Sequence, residues 1–142
     1  MIAASRFAIQ ITIPSDLAEA RRVQEEIEVS LQSSQYGDRD IFYIKLALEE
    51  ALVNAVKHGN QMDPDKRVFI NYTVTGDRFD IQIIDEGPGF NPADVPDPTA
   101  PENLERPCGR GLLIIRRFMT DVTYHGKGNI VTMSKLRSPP EE

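Results

Sequence analysis

The stretch from Val68 to Phe90, VFINYTVTGDRFDIQIIDEGPGF, decides the fold. Val68, Ile70, Tyr72 and Val74 recur every second residue, and Phe79, Ile81 and Ile83 repeat that period after Gly76-Asp77. Successive strand side chains point to opposite faces, so the pattern predicts a hairpin with one apolar face. Upstream, Phe7, Ile9 and Ile11 alternate with Ala8, Gln10 and Thr12, predicting a strand closed by Pro14. The period then lengthens. Leu17, Ala20, Val23, Ile27 and Leu31 form a helical stripe behind Ser15, a good N-cap residue. A second helix is predicted from Asp38 or Asp40 to Gly59, with Gly59 as a left-handed C-cap. Its core stripe is Ile41, Ile44, Leu48, Leu52 and Ala55.

Downstream, residues 91–108 carry five of the ten prolines: Pro92, Pro96, Pro98, Pro101 and Pro107. Proline fixes φ and removes a backbone donor, so this segment reads as a long loop of the kind that serves as a lid. A short helix from Leu112 to Met119 follows. Val122–Tyr124 and Ile130–Lys135 then pair as strands across Gly126-Lys127-Gly128-Asn129. The whole order predicts an α+β two-layer sandwich: a mixed, mostly antiparallel sheet with helices on one face.

A chain of 142 residues is one domain and can bury a core unaided. Hydrophobic residues make up 40% and charged residues 27%, a globular balance. Sixteen Lys plus Arg against 22 Asp plus Glu leave a net charge of −6, which argues against nucleic acid as a direct partner. A single cysteine, Cys108, excludes an internal disulfide. No apolar run reaches the roughly 20 residues of a membrane span, and the first residues do not read as a signal peptide. A cytoplasmic protein is expected. The end from Arg137 to Glu142 is expected to be a disordered tail.

Three groups of residues could carry chemistry. Asp85 continues the period of Phe79, Ile81 and Ile83, so it is expected to face the helix layer. A carboxylate there needs donors, and a ligand's exocyclic amine would be one. Gly87 and Gly89 would let the backbone approach that ligand closely. The alternative is a plain strand-terminating turn. On the second helix, Glu50, Asn54 and His58 stand at i, i+4 and i+8 with Lys57 beside them. They could serve as base, metal ligand and hydrogen-bonding groups, or simply form a solvated polar face. Asn is a poor helix-interior residue, so Asn54 asks for a reason. Finally, Cys108-Gly109-Arg110-Gly111 leads into the helix expected at Leu112. Backbone N–H groups at a helix N-terminus form an anion site, to which Arg106 and Arg110 could add bonds to phosphate; the alternative is a flexible loop end. Other signatures are absent. Gly126-Lys127 lacks the Ser or Thr and the spacing of a P-loop, neither Gly-x-Gly pair reaches a third glycine, and two histidines with one cysteine do not argue for zinc.

Taken in order, Glu50-x-x-x-Asn54, Asp85-x-Gly87-x-Gly89-Phe90 and Gly109-x-Gly111-Leu112 resemble the N, G1 and G2 boxes of the GHKL ATPases. Histidine kinases, gyrase B and MutL share their Bergerat fold. Within that superfamily the chain looks most like the bacterial anti-sigma-factor serine/threonine kinases, with residues 1–136 as the ATPase domain. The resemblance implies that Asn54 coordinates Mg²⁺ bridging the ATP phosphates and that Glu50 polarises the attacking hydroxyl of a protein serine. It implies that Asp85 accepts from the adenine amino group, that Gly89 meets the base, and that Gly109 and Gly111 fold a lid over the phosphates ahead of Leu112. Family members have a threonine in the last strand near adenine; Thr132 is displaced from that place, and the role is not carried over. The resemblance further implies a sigma factor and a STAS-domain anti-anti-sigma protein as partners, and a homodimer for which the first strand offers an edge. The alternative is a nucleotide-gated binding module that exchanges partners without phosphoryl transfer.

Overall fold

The computed structural model describes residues 7–89 and 107–139, with side chains from residue 113 onward in the second stretch. The chain runs β1 (Ile9–Pro14), α1 (Leu17–Ser33), α2 (Asp38–Val53), a π-helical turn (Asn54–Gly59), β2 (Arg67–Val74) and β3 (Arg78–Ile84). It ends with α3 (Pro107–Phe118), β4 (Asp121–His125) and β5 (Ile130–Leu136). The strands form one sheet in the order β1-β2-β3-β5-β4. Every pairing among the described residues is antiparallel.

Register explains the layering. Ile13 pairs with Val68, Ile70 with Ile83, Tyr72 with Ile81, and Ile81 in turn with Met133. These side chains therefore line one face, and all are buried. Ala20, Val23, Ile27 and Leu31 of α1, Ile44, Leu48 and Leu52 of α2 and Ile115 of α3 close over them as one cluster. Helices thus cover a single face, in an α+β two-layer sandwich. Leu17, the first residue of the predicted α1 stripe, is exposed. Between α2 and α3, Tyr43 stacks on Phe118 at 4.8 Å.

Local expectations are corrected at four places. The N-cap of α1 is Asp16, whose carboxylate accepts from the amides of Ala18 and Glu19. Ser15 is buried instead and donates its hydroxyl to the Lys66 carbonyl at 2.7 Å. Gly59 is not a left-handed cap. The helix passes through it as a π turn, and the left-handed residues that follow it are Gln61 (φ 53) and Met62 (φ 57). The third helix starts at Pro107, not Leu112, so Gly109 and Gly111 lie inside its first turns. Proline suits a first helical position because its φ is already helical and its missing N–H would have had no partner. The fourth concerns the expected tail.

Arg137 and Ser138 are tied down. The Arg137 guanidinium donates to the carbonyls of Ser34, Gln35 and Gly76 and lies 5.0 Å from the Tyr36 ring. A cation just beyond the C-terminal end of α1 also suits the helix dipole. Ser138 donates its amide and hydroxyl to the buried Asp40 carboxylate, at 2.8 and 2.7 Å.

Candidate functional site

Asp85 leaves the end of β3 toward the helices. Its backbone is held by the turn between β4 and β5: its amide donates to the Asn129 carbonyl at 3.0 Å, and the Asn129 side-chain amide donates back to its carbonyl at 2.9 Å. Its carboxylate accepts from the Gly87 amide at 2.8 Å and packs on Gly59. A Cβ built on Gly59 would stand 2.5 Å from the Asp85 carboxyl carbon, and one on Gly87 only 2.0 Å from the Gly59 carbonyl oxygen. Neither position takes a side chain without displacing the group opposite it. Gly89 has φ +78, and a Cβ there would meet the Lys127 carbonyl at 2.0 Å. Gly59 and Gly87 therefore let two backbone segments close around one carboxylate, and Gly89 lets the β4–β5 turn approach the same segment.

Burial raises the Asp85 pKa above its ordinary value; the Gly87 amide and the Lys127 and Lys66 charges offset this in part. Desolvation is winning over donors, which marks a group suited to a ligand that brings its own donor.

Gly59 ends the same turn that Asn54 begins. Both lie on the helix side of the sheet, so Asp85 and Asn54 share one corner of the molecule. Glu50 stands one α-turn before Asn54, and both are half-buried, whereas Lys57 and His58 are exposed. Burial, reinforced by Glu49, raises the Glu50 pKa, and His58 pulls it back. A carboxylate so shifted is a better proton acceptor at neutral pH. The π turn that separates Asn54 from Gly59 is a rare element often found at functional sites. The Asn54 carboxamide oxygen is a donor of the kind that could hold Mg²⁺, an ion that needs only one or two protein oxygens beside phosphate oxygens.

Two expectations change. With α3 starting at Pro107, the free backbone amides in its first turn belong to Cys108 and Gly109 rather than to Leu112. Thr132 pairs with Gln82 between the buried Val131 and Met133, so it faces the open side of the sheet, away from Asp85. Its hydroxyl is buried with no partner among the described residues. Phe90 and Arg106 lie outside the described residues, as do the side chains of Arg110 and Leu112. Sequence reasoning missed Gly59, Asn60 and Asn129. Gly59 reads as a cap and Asn129 as part of a turn between strands, while the sequence assigns Asn60 no role.

Residues 13–135 match the family described as the histidine kinase-like ATPase domain. The chain is 36% identical over 101 residues to an anti-sigma F factor of Oceanobacillus iheyensis, across 67% of this chain and 68% of that protein. It is 29% identical over 102 residues to the serine-protein kinase RsbW of Listeria monocytogenes, across 65% of this chain and 63% of that one. The fold is similar to the solved RsbU and RsbW domains of Rv1364c from Mycobacterium tuberculosis, with TM-score 0.60 and 18% identity over 92% of this chain and 32% of that one. A carboxylate pinned by glycines at a strand end, facing a helix that carries Glu50 and Asn54, is thus found in a chain that belongs to the histidine kinase-like ATPase family, within its group of anti-sigma factors and RsbW-type serine-protein kinases.

Proposed function

We propose that this chain is an anti-sigma-factor serine/threonine protein kinase: it binds ATP with Mg²⁺, phosphorylates a STAS-domain anti-anti-sigma protein and sequesters a sigma factor. The observation that carries the reading is the contact of Asp85 with Gly59, which brings an adenine-reading carboxylate to the end of the helix bearing Glu50 and Asn54. Asp85 accepts the adenine amino group, with Gly87 and Gly89 leaving room for the base. Asn54 holds the cation, whose charge offsets that of the transferring phosphoryl group. Glu50 takes the proton of the attacking serine hydroxyl, a role its raised pKa supports. Lys57, His58, Arg106 and Arg110 add positive charge toward the phosphates, and Gly109 and Gly111 carry the lid. Such a site works by positioning and charge stabilisation. Among the described residues β1 (Ile9–Pro14) is an edge strand, which supports a homodimer. The family's reaction supports a cytoplasmic location, where ATP is abundant, and among the described residues no helix is long and apolar enough to cross a membrane.

The test is transfer of label from γ-labelled ATP and Mg²⁺ to a STAS-domain protein from the same genome. Wild type is expected to label it, and Glu50→Ala and Asn54→Ala to lose roughly 100-fold or more of the rate, the scale of a lost general base or charge stabiliser. ATP binding without label would favour the partner-exchanging module, and no ATP binding would remove both readings.

A further inference from the structure

Asn60 is fully buried, and every polar atom of its side chain is used. Its amide nitrogen donates to the Ser15 hydroxyl and to the Arg67 carbonyl, both at 2.9 Å. Its amide oxygen accepts from the Glu86 backbone N–H at 2.7 Å. Its own backbone N–H closes the π turn on the Ala55 carbonyl at 2.9 Å. One side chain therefore joins the end of β1, the start of β2 and the segment leaving β3, while its backbone ends the turn that begins at Asn54.

The bond to Glu86 matters most, because Glu86 follows Asp85 directly. Two neighbouring contacts fix the same segment: Asp85 on Gly59, and Gly87 beneath the Gly59 carbonyl. Those contacts limit how closely the segment can approach the helix end. They do not set its rotation. A hydrogen bond is directional, so Asn60 supplies what steric contact cannot, fixing the Glu86 side of the segment while the two bonds to Asn129 hold Asp85 from the β4–β5 turn. Glu86 reinforces the arrangement by accepting from the Arg67 amide at 2.6 Å. No other neutral side chain of this size offers two donors on one side and an acceptor on the other. An aspartate would set an oxygen against the Arg67 carbonyl, and a leucine would leave three polar partners unmet.

We propose that Asn60 is a positioning residue that aims the Asp85 carboxylate at the base of a bound nucleotide. The inference rests on the adenine-binding reading given above. Its signature is base discrimination, because loss of general stability weakens all nucleotides alike while a misdirected Asp85 weakens only those that carry the 6-amino group.

The experiment is calorimetric titration of the full chain with ADP and with purine riboside 5′-diphosphate, which lacks that amino group. Wild type is expected to favour ADP by about tenfold or more, the equivalent of one well-placed hydrogen bond to a charged acceptor. Asn60→Ala is expected to bring the two affinities within about twofold of one another while purine riboside diphosphate still binds. Ser15→Ala removes the hydroxyl behind Asn60, with its bond to the Lys66 carbonyl, and is expected to lower the ratio by about threefold. A folded Asn60→Ala protein with the wild-type ratio would overturn the inference and leave the adenine reading standing. Should Asn60→Ala not fold, an unchanged ratio in Ser15→Ala overturns it equally. Failure of wild type itself to prefer ADP would refute the adenine reading, and this inference with it.

Discussion

Helix α2 has a carboxylate at each end, and the two are treated in opposite ways. At its start, Asp40 is buried and fully served: Ser138 donates twice to it and the Lys135 ammonium lies 3.7 Å away. Beside it, Arg137 satisfies three carbonyls. Beyond its other end, Asp85 receives one N–H from the described residues, and burial leaves its pKa raised. Chemistry alone does not distinguish these two acids. A buried charge whose bonds are complete holds structure together, whereas one left short of donors is ready for a ligand.

The contrast can be broken by substitution. Asp40→Ala should cost the most, about 3–5 kcal/mol, because it strands Lys135 and both Ser138 donors. Urea denaturation reads this directly. The folded fraction should keep wild-type nucleotide affinity, and a loss of affinity would mean that the two ends are coupled. Gly87→Ala should cost about 1–3 kcal/mol, since the new methyl group meets the Gly59 backbone and not a movable side chain. Gly76→Ala is its control: nothing lies within 4 Å of a Cβ there, so the effect should stay within about 0.5 kcal/mol.

Asp85→Asn should change stability least and nucleotide affinity strongly. The pH dependence sharpens the point. A carboxyl with a raised folded-state pKa contributes stability below its unfolded pKa and loses it as pH rises through the folded value. Wild type should therefore gain on Asp85→Asn as pH falls toward the acid range. Affinity for ADP should fall over the same interval, because the protonated acid is a poorer acceptor. Thermal melts and calorimetry across pH 4–7, roughly the window above the ordinary Asp value, check both signs. An Asn variant that loses stability at neutral pH would make Asp85 structural after all.

Much of this was legible in the sequence. The two-residue periods of β2 and β3 and the stripes of α1 and α2 follow from which side chains must leave water, and the buried positions agree. Asp85 facing the helices followed from the same counting. What stayed hidden was set by partners far apart in the chain. Ser15 and Asp16 are both good caps, and only the burial of Ser15 against Lys66 and Asn60 decides between them. Asn60 looks like any turn residue until the starts and ends of three strands meet at it. Arg137 reads as the start of a tail because its three carbonyl partners lie some sixty to a hundred positions away. The family resemblance supplied roles that spacing alone could not.

The π turn has a consequence for how this chain can be altered. An α-helix advances about 100° per residue, and a π turn accommodates one more residue in each turn. Deleting a single residue from Asn54–Gly59 would therefore let that segment wind as a regular α-helix with little change of phase beyond it. The same deletion within Asp38–Val53, where the helix is already regular, would swing everything beyond it by roughly 100°, and Gly59 would no longer sit under the Asp85 carboxyl. Chains of this family should therefore tolerate a change of length inside that turn more readily than one inside α2.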